Sequence, residues 1–366
     1  MNLLDLPDDL ILLILSQISI TEKFFKKSIL DIESKDEISK YLLINKRFLN
    51  IVYKSVKKIN LPSNKIKVNN FEVLNKLNLS NASIDSEWIK CLENNKTVKY
   101  LNLTNNNIDS IGAKYLANNN TIIKLVLYIN NIDIEGVKYL SNNKILTSLD
   151  LSSNNIDDEC IKILSENKTL TSLELFSNKI TSEGVKYLGQ NKTLKRLDLN
   201  SNNIGDEGIK YLAENNTITE LSVCGNNIGP EGAKYLAKNR SIIILNLYNN
   251  NIGIEGSKYL SENKTIIILI LSWNNICSRG VEYLVNNNTI TSLDLSGNNI
   301  GNEGCKFLIE NKTLQKLYLS SNKIDSSGGK LFLDNNAFIS LYLYSNNIDD
   351  DVRKLLKEKY KDRIII

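Results

Sequence analysis

The sequence predicts an α/β fold laid out as a solenoid: twelve copies of one strand-and-helix unit, preceded by a small all-α domain. Two observations carry this reading. From Leu77 the chain repeats with a period of 24, as "LNLTNNNIDSIGAKYLANNNTIIK" at 101, "LDLNSNNIGDEGIKYLAENNTITE" at 197 and "LDLSGNNIGNEGCKFLIENKTLQK" at 293. Within each unit the apolar period changes, from an L-x-L alternation that buries one face of a strand to an I-x-x-x-G-x-K-Y-L spacing that fits a helix.

The units start at Leu77, Leu101, Leu125, Leu149, Leu173, Leu197, Leu221, Leu245, Leu269, Leu293, Leu317 and Leu341, with no insertion between them. Each reads as strand, turn, helix, turn. Asp158, Ser182, Asp206 and Pro230 stand just ahead of their helices as start signals, and Glu159, Glu183, Glu207 and Glu231 put negative charge in the first turn. Asn167, Asn191, Asn215 and Asn263 occupy the place of a left-handed exit residue. A further column, Asn106, Asn130, Asn154 and onward to Asn346, is expected to form a buried ladder, because only a side chain with both donors and acceptors satisfies neighbouring turn backbones. The column fails at Ala82, and Trp88 and Val352 replace the helix glycine in the terminal units, where solenoids deviate. The closing "RIII" reads as an unfinished thirteenth strand.

Composition narrows the chemistry. The net charge of +4 arises from 45 basic against 41 acidic residues, so it argues only weakly for nucleic acid or an anionic membrane. There is no histidine, which removes imidazole dyads, imidazole metal ligands and the usual neutral proton shuttle. Cys91, Cys160, Cys224, Cys277 and Cys305 are odd in number and far apart, so neither a disulfide framework nor a zinc site is expected. No cofactor or metal is implied, and an enzyme fits worst of the function classes. Asp5, Asp8 and Asp9 stand where a signal peptide needs bases, and the apolar run "LPDDLILLIL" (6–15) is too short to span a bilayer, so the expected setting is the cytoplasm. The abundance of Asn, Lys and Ile is that of an AT-rich genome, and for a viral or bacterial source the setting becomes the host cytoplasm. The recurrent N-x-T, as at Asn95 to Thr97, Asn191 to Thr193 and Asn311 to Thr313, matches a glycosylation acceptor but is read as structural.

The L-x-L-x-x-N-x-I strand and following short helix resemble the leucine-rich repeat family, in its helix-bearing ribonuclease-inhibitor form, over about four fifths of the chain. That resemblance implies a horseshoe with a parallel sheet on the concave side and helices on the convex side. At about 4.8 Å per strand, twelve strands span on the order of 55 Å along the arc, a surface suited to macromolecules.

Function is then expected where the concave positions are least regular. Asp150, Glu174 and Asp198 would form a like-charge ladder that either receives a basic ligand or is neutralised by Lys195 and Arg196. Tyr128 and Phe176, then Ile244, Tyr248, Ile268, Ile270 and Trp273, then Tyr318, Tyr342 and Tyr344 form an apolar set. It reads as hot spots for a protein target centred on Trp273 and Tyr248, against the alternative of rings packed on one another. On the helices, Lys114, Lys138, Lys186, Lys210, Lys234 and Lys258 mostly follow a Glu by three residues, which favours ion pairing over nucleic-acid binding.

Residues 1–60 do not follow the repeat, and 61–76 connect them to the solenoid at 77–366. Pro7 suits a helix start, and from Leu10 to Leu15 the helix is apolar all round, so it must be covered on several sides. L-P-D-D-L-x-x-x-I-L-x-x-I, followed after a long charged spacer by "LLINKRFLNIV", resembles an F-box. The resemblance implies a Skp-type adaptor of a cullin–RING ubiquitin ligase as partner, contacted by Leu6, Pro7, Leu10, Ile14, Leu15 and Ile18, and a substrate receptor as function. The other reading is a free-standing interaction scaffold whose first helices only cap the solenoid. Nucleic acid and membrane are not expected partners.

Overall fold

The computed structural model describes residues 75–335 and 337–366, so the expected helical domain at 1–60, and the connector up to 74, lie outside the described residues. The chain divides into two compact units between Asn154 and Asn155.

The first unit alternates β1 (Lys76–Asn78), α1 (Ser86–Ile89), β2 (Tyr100–Asn102), α2 (Ser110–Asn118), β3 (Lys124–Val126), α3 (Ile134–Asn142) and β4 (Ser148–Asp150). Its strands pair in parallel and in chain order, Leu77 beside Leu101, Leu101 beside Leu125, Leu125 beside Leu149. Parallel neighbours need a crossover, and each short helix is that crossover.

The second unit continues with α4 (Asp158–Ser165), β5 (Ser172–Glu174), α5 (Ser182–Gln190), β6 (Arg196–Asp198), α6 (Gly205–Ala213), β7 (Glu220–Ser222), α7 (Pro230–Lys238) and β8 (Ile244–Asn246). It ends with α8 (Gly253–Ser261), β9 (Ile268–Ile270), α9 (Cys277–Leu284), β10 (Ser292–Asp294), α10 (Gly301–Leu308), β11 (Lys316–Tyr318), α11 (Ser326–Leu331), β12 (Ser340–Tyr342), α12 (Asp350–Tyr360) and β13 (Ile364–Ile365). The expected thirteenth strand is real: Ile364 and Ile365 pair in parallel with Leu341 and Tyr342.

Each repeat feeds the core the same set. In the second repeat Leu101, Leu103, Ile108, Ala113, Leu116 and Ile122 are all buried. Full burial of each larger aliphatic side chain is worth about 1.5–3 kcal/mol, and no repeat can realise that without its neighbours. The helix glycines let successive helices close up: a Cβ on Gly208 would lie 2.3 Å from Cγ2 of Ile204 and 3.3 Å from the Ser182 Cα on the preceding helix. In the fourth repeat Cys160 holds this position and is itself buried.

The asparagine ladder forms as expected. Asn298, fully buried, accepts from the Asn274 and Ile276 amides at 2.8 and 3.2 Å and donates to the Leu271 and Leu295 carbonyls at 2.8 and 3.0 Å. Two details of the sequence reading need correction. Asn167, Asn191, Asn215 and Asn263 are not left-handed, since none has positive φ, and Asn191 is extended with ψ 139°. They form a second buried ladder instead. Asn215, for example, donates to the Asn191 and Gly189 carbonyls at 2.7 and 3.0 Å and accepts from the amides of Thr217 and Ile218. At Asn191 the extended backbone turns the side chain inward to bridge repeats, where an exit residue would point it to water. This also explains N-x-T: Thr193 Oγ1 donates to buried Asn191 Oδ1 at 3.1 Å.

The helices also start one or two residues earlier than their spacing suggests. Asp158, Ser182 and Pro230 are the first residues inside their helices, and Asp206 is the second in its helix. The caps are one residue earlier where a side chain supplies them, Asp157 accepting from the Cys160 amide and Thr181 from that of Glu183. Asp158 and Asp206 serve the next repeat, accepting from the amides of Thr181 at 2.8 Å and Gly229 at 2.7 Å.

Candidate interaction surface

Along each strand the leucines enter the core, so the residues that flank them form the outer face of the sheet. In the second unit Asn246, Ile270, Asp294, Tyr318 and Tyr342 lie side by side in one register row, with Ile244 beside Ile268 in the next. Tyr248 and Trp273 rise at the strand ends, 44% and 56% exposed. Further along, the rings of Tyr318 and Tyr342 stack at 4.2 Å and 11°, and Tyr344 is exposed beyond them. Burial, then the neighbouring Tyr342, pushes the Tyr318 phenol up from its ordinary value. For these two rings the alternative of mutual packing therefore applies; for Tyr248 and Trp273 it does not remove their exposure.

Sequence reasoning missed Ile243 and Ile267, 41% and 43% exposed, which enlarge the patch on the side where the chain enters the strands. The signal was present in the triple isoleucines "SIIIL" and "TIIIL", whose middle member faces outward.

The residue after each strand turn has positive φ. Asn, Ser or Gly fills this place at Asn105, Ser153, Ser201, Gly225, Asn249 and Gly297, but Ile129 has φ 53° and Trp273 φ 57°. A β-branched or bulky residue there is strained by about 1–2 kcal/mol. The indole of Trp273 rests over Gly297, where a Cβ would come within 2.7 Å of the ring. In the first unit, Ile129 is exposed next to half-buried Tyr128 and half-buried Val126.

The acidic positions separate. Asp150 belongs to the first unit, where it accepts from the Ser152 amide at 2.9 Å and burial raises its pKa despite that bond. Glu174 and Asp198 are register partners in the second unit, and Arg196 reaches Glu174 at 3.8 Å and Glu220 at 3.4 Å. Local neutralisation by Arg196 is the arrangement present. Phe176 is exposed on the turn side of β5.

On the helices, Lys138, Lys210, Lys234 and Lys306 pair with the Glu three residues earlier at 2.5, 3.1, 3.0 and 2.6 Å. Lys114, Lys186 and Lys258 instead lie over Tyr139, Tyr211 and Tyr283 of the following helix, within 6.0 Å of the ring centres. The expected adaptor contacts Leu6, Pro7, Leu10, Ile14, Leu15 and Ile18 lie outside the described residues. No helix among the described residues is long and apolar enough to cross a membrane.

The Leucine Rich repeat family matches residues 94–117, 142–162, 166–189, 190–213, 214–237, 262–285, 286–308 and 310–333, just over half of the chain. The chain belongs to the leucine-rich repeat family. Among solved structures, that of an internalin from Listeria monocytogenes is similar to it with a TM-score of 0.54 and 22% identity, covering 87% of this chain and 94% of the internalin chain. That likeness is one of fold. No curated protein matches the chain. As a leucine-rich repeat scaffold, the chain presents an outward sheet face whose least regular segment is the patch around Trp273.

Proposed function

We propose that this leucine-rich repeat protein is a non-catalytic interaction scaffold that takes a protein target on its sheet face. One observation carries the proposal: Ile243, Tyr248, Ile267 and Trp273 are exposed together on neighbouring repeats, in positions that most other repeats fill with small or polar residues. Clustered aromatic and aliphatic side chains of this kind form the centre of protein interfaces. Burial pushes the Cys160 and Cys305 thiols up to about 11 and about 12, which keeps them protonated and poor nucleophiles at neutral pH. Lys114, Lys138, Lys186, Lys210, Lys234 and Lys258 each face a glutamate or a tyrosine, which favours a structural role for this column over nucleic-acid or membrane binding.

The finer part of the proposal is that the protein is a substrate receptor of a cullin–RING ubiquitin ligase in the cytoplasm, joined through residues 1–60 to a Skp-type adaptor. Its support is the F-box-like pattern from Leu6 to Ile18 with Asn45-Lys46-Arg47-Phe48. Holding a target near the ligase makes transfer effectively intramolecular, so modest target affinity suffices. The test is capture of a purified eukaryotic Skp-type adaptor by the full chain, wild type beside Leu10→Asp/Ile14→Asp, with circular dichroism on both. Capture by wild type alone supports the receptor. No capture by folded wild type leaves a free-standing scaffold, whose target binding is then tested by Tyr248→Ala/Trp273→Asn.

A further inference from the structure

We infer that the partner of the Trp273 patch is a basic, apolar segment, one that sets an aromatic or branched aliphatic side chain against Trp273 and Ile270 and a lysine or arginine on Asp294. The inference rests on the interaction reading above and adds the chemistry of the partner.

Asp294 is the centre of the argument. It lies in register between Ile270 and Tyr318, is half-buried, and accepts from the Ser296 amide at 2.9 Å. Among the described residues the ion pairs on this face are those of Arg196 with Glu174 and Glu220, and Asp294 has none. Any partner that covers Ile270 and Trp273 also takes Asp294 out of water. An acidic or neutral partner would leave that carboxylate buried and unpaired, a strong penalty, whereas a cation placed on it gains from the lowered local dielectric. The charged residues of β5–β12 on either side of the strand leucines leave an acidic excess, Glu174, Asp198, Glu220 and Asp294 against Arg196 and Lys316.

Trp273 supplies the anchor. Its backbone is held at φ 57°, and its ring is seated over Gly297. A side chain fixed in this way loses little freedom on binding, which is what a hot spot needs. The strain is otherwise unrewarded, since asparagine, serine or glycine would fill the position without it.

The experiment is selection of a phage-displayed random dodecapeptide library on the immobilised full chain. Affinities are then measured by fluorescence anisotropy of the enriched peptides carrying a fluorescein label, a readout that serves wild type, Asp294→Asn and Trp273→Asn alike. The expected result is enrichment of peptides that combine Lys or Arg with Trp, Phe, Leu or Ile. They should lose at least about tenfold in affinity on Asp294→Asn and on Trp273→Asn, and weaken several-fold between 50 and 300 mM salt. Enrichment of acidic or uncharged peptides, indifference to Asp294→Asn, or no enrichment overturns the inference. Peptides that lack a base yet depend on Trp273 would leave the interaction reading standing and remove only the charge assignment. The interaction reading itself falls separately, if Tyr248→Ala/Trp273→Asn leaves every captured partner in place.

Discussion

Gly297 is the floor on which the indole of Trp273 rests: a Cβ there would lie 2.7 Å from two of the ring carbons, and the glycine itself has φ 68°. Gly297→Ala therefore meets both a clash and a disfavoured backbone. It is expected to cost about 1–3 kcal/mol and to displace the ring. Urea unfolding reads the first effect and a changed Trp273 emission the second; an unchanged spectrum would mean that the seat is not needed.

Trp273→Asn has the opposite sign for stability. Asparagine tolerates the left-handed region, as Asn105 and Asn249 do in this column, so the variant should be as stable as wild type or up to about 1 kcal/mol more so. Denaturant midpoints decide this, and a loss above 1 kcal/mol would show that packing of the indole outweighs its strain.

The two asparagine ladders are interior structure. Asn298→Ala strands the Ile276 and Asn274 amides and the Leu271 carbonyl, while the Leu295 carbonyl keeps its bond from Asn322, and is expected to cost about 2–4 kcal/mol. Asn215→Ala should cost a similar amount, because three of its four bonds are buried as well. Both are measured by urea unfolding, with Asn216→Ala, next to the ladder but outside it, as the neutral comparison.

Asp325 caps α11. Its carboxylate accepts from the Ser327 hydroxyl and amide, both at 2.7 Å, and these bonds with Asn302 hold its pKa at about 2. The folded value lies below the unfolded one, so the stabilisation is present above about pH 4 and is lost as pH falls through about 2. Asp325→Ala should lower the urea midpoint at pH 6, and the gap from wild type should close between pH 4 and pH 2. A gap independent of pH would assign the effect to shape and not to charge.

Arg196 holds apart the carboxylates of Glu174 and Glu220 on an exposed face. Removing it as Arg196→Ala is expected to cost about 0.5 kcal/mol at low salt, and 0.5 M NaCl should erase most of that. Unfolding at two salt concentrations distinguishes this from a packing loss, which salt would leave in place.

Much of this was legible in the chain because a fixed 24-residue period puts equivalent residues side by side. Leu101, Leu125 and Leu149 could be aligned from spacing alone, and so could the Asn106 to Asn346 ladder. The patch was partly legible: Tyr248, Ile270 and Trp273 stood out as breaks in a polar column, whereas Ile243 was hidden inside an isoleucine run whose members differ only in the direction they face.

The sequence by itself determined the repeat, its strand-to-helix order, the buried leucines and the closing strand at Ile364, since each follows from periodicity and hydrophobic burial. Only the tertiary structure decided how one repeat serves the next. Asp158 accepts from Thr181 across 23 residues, Asn191 turns inward from an extended backbone to the Ser165 and Asn167 carbonyls, and Gly297 makes room for a ring that belongs to the previous repeat. Those relationships depend on backbone dihedrals and on the separation of neighbouring repeats, which the pattern of apolar residues does not specify.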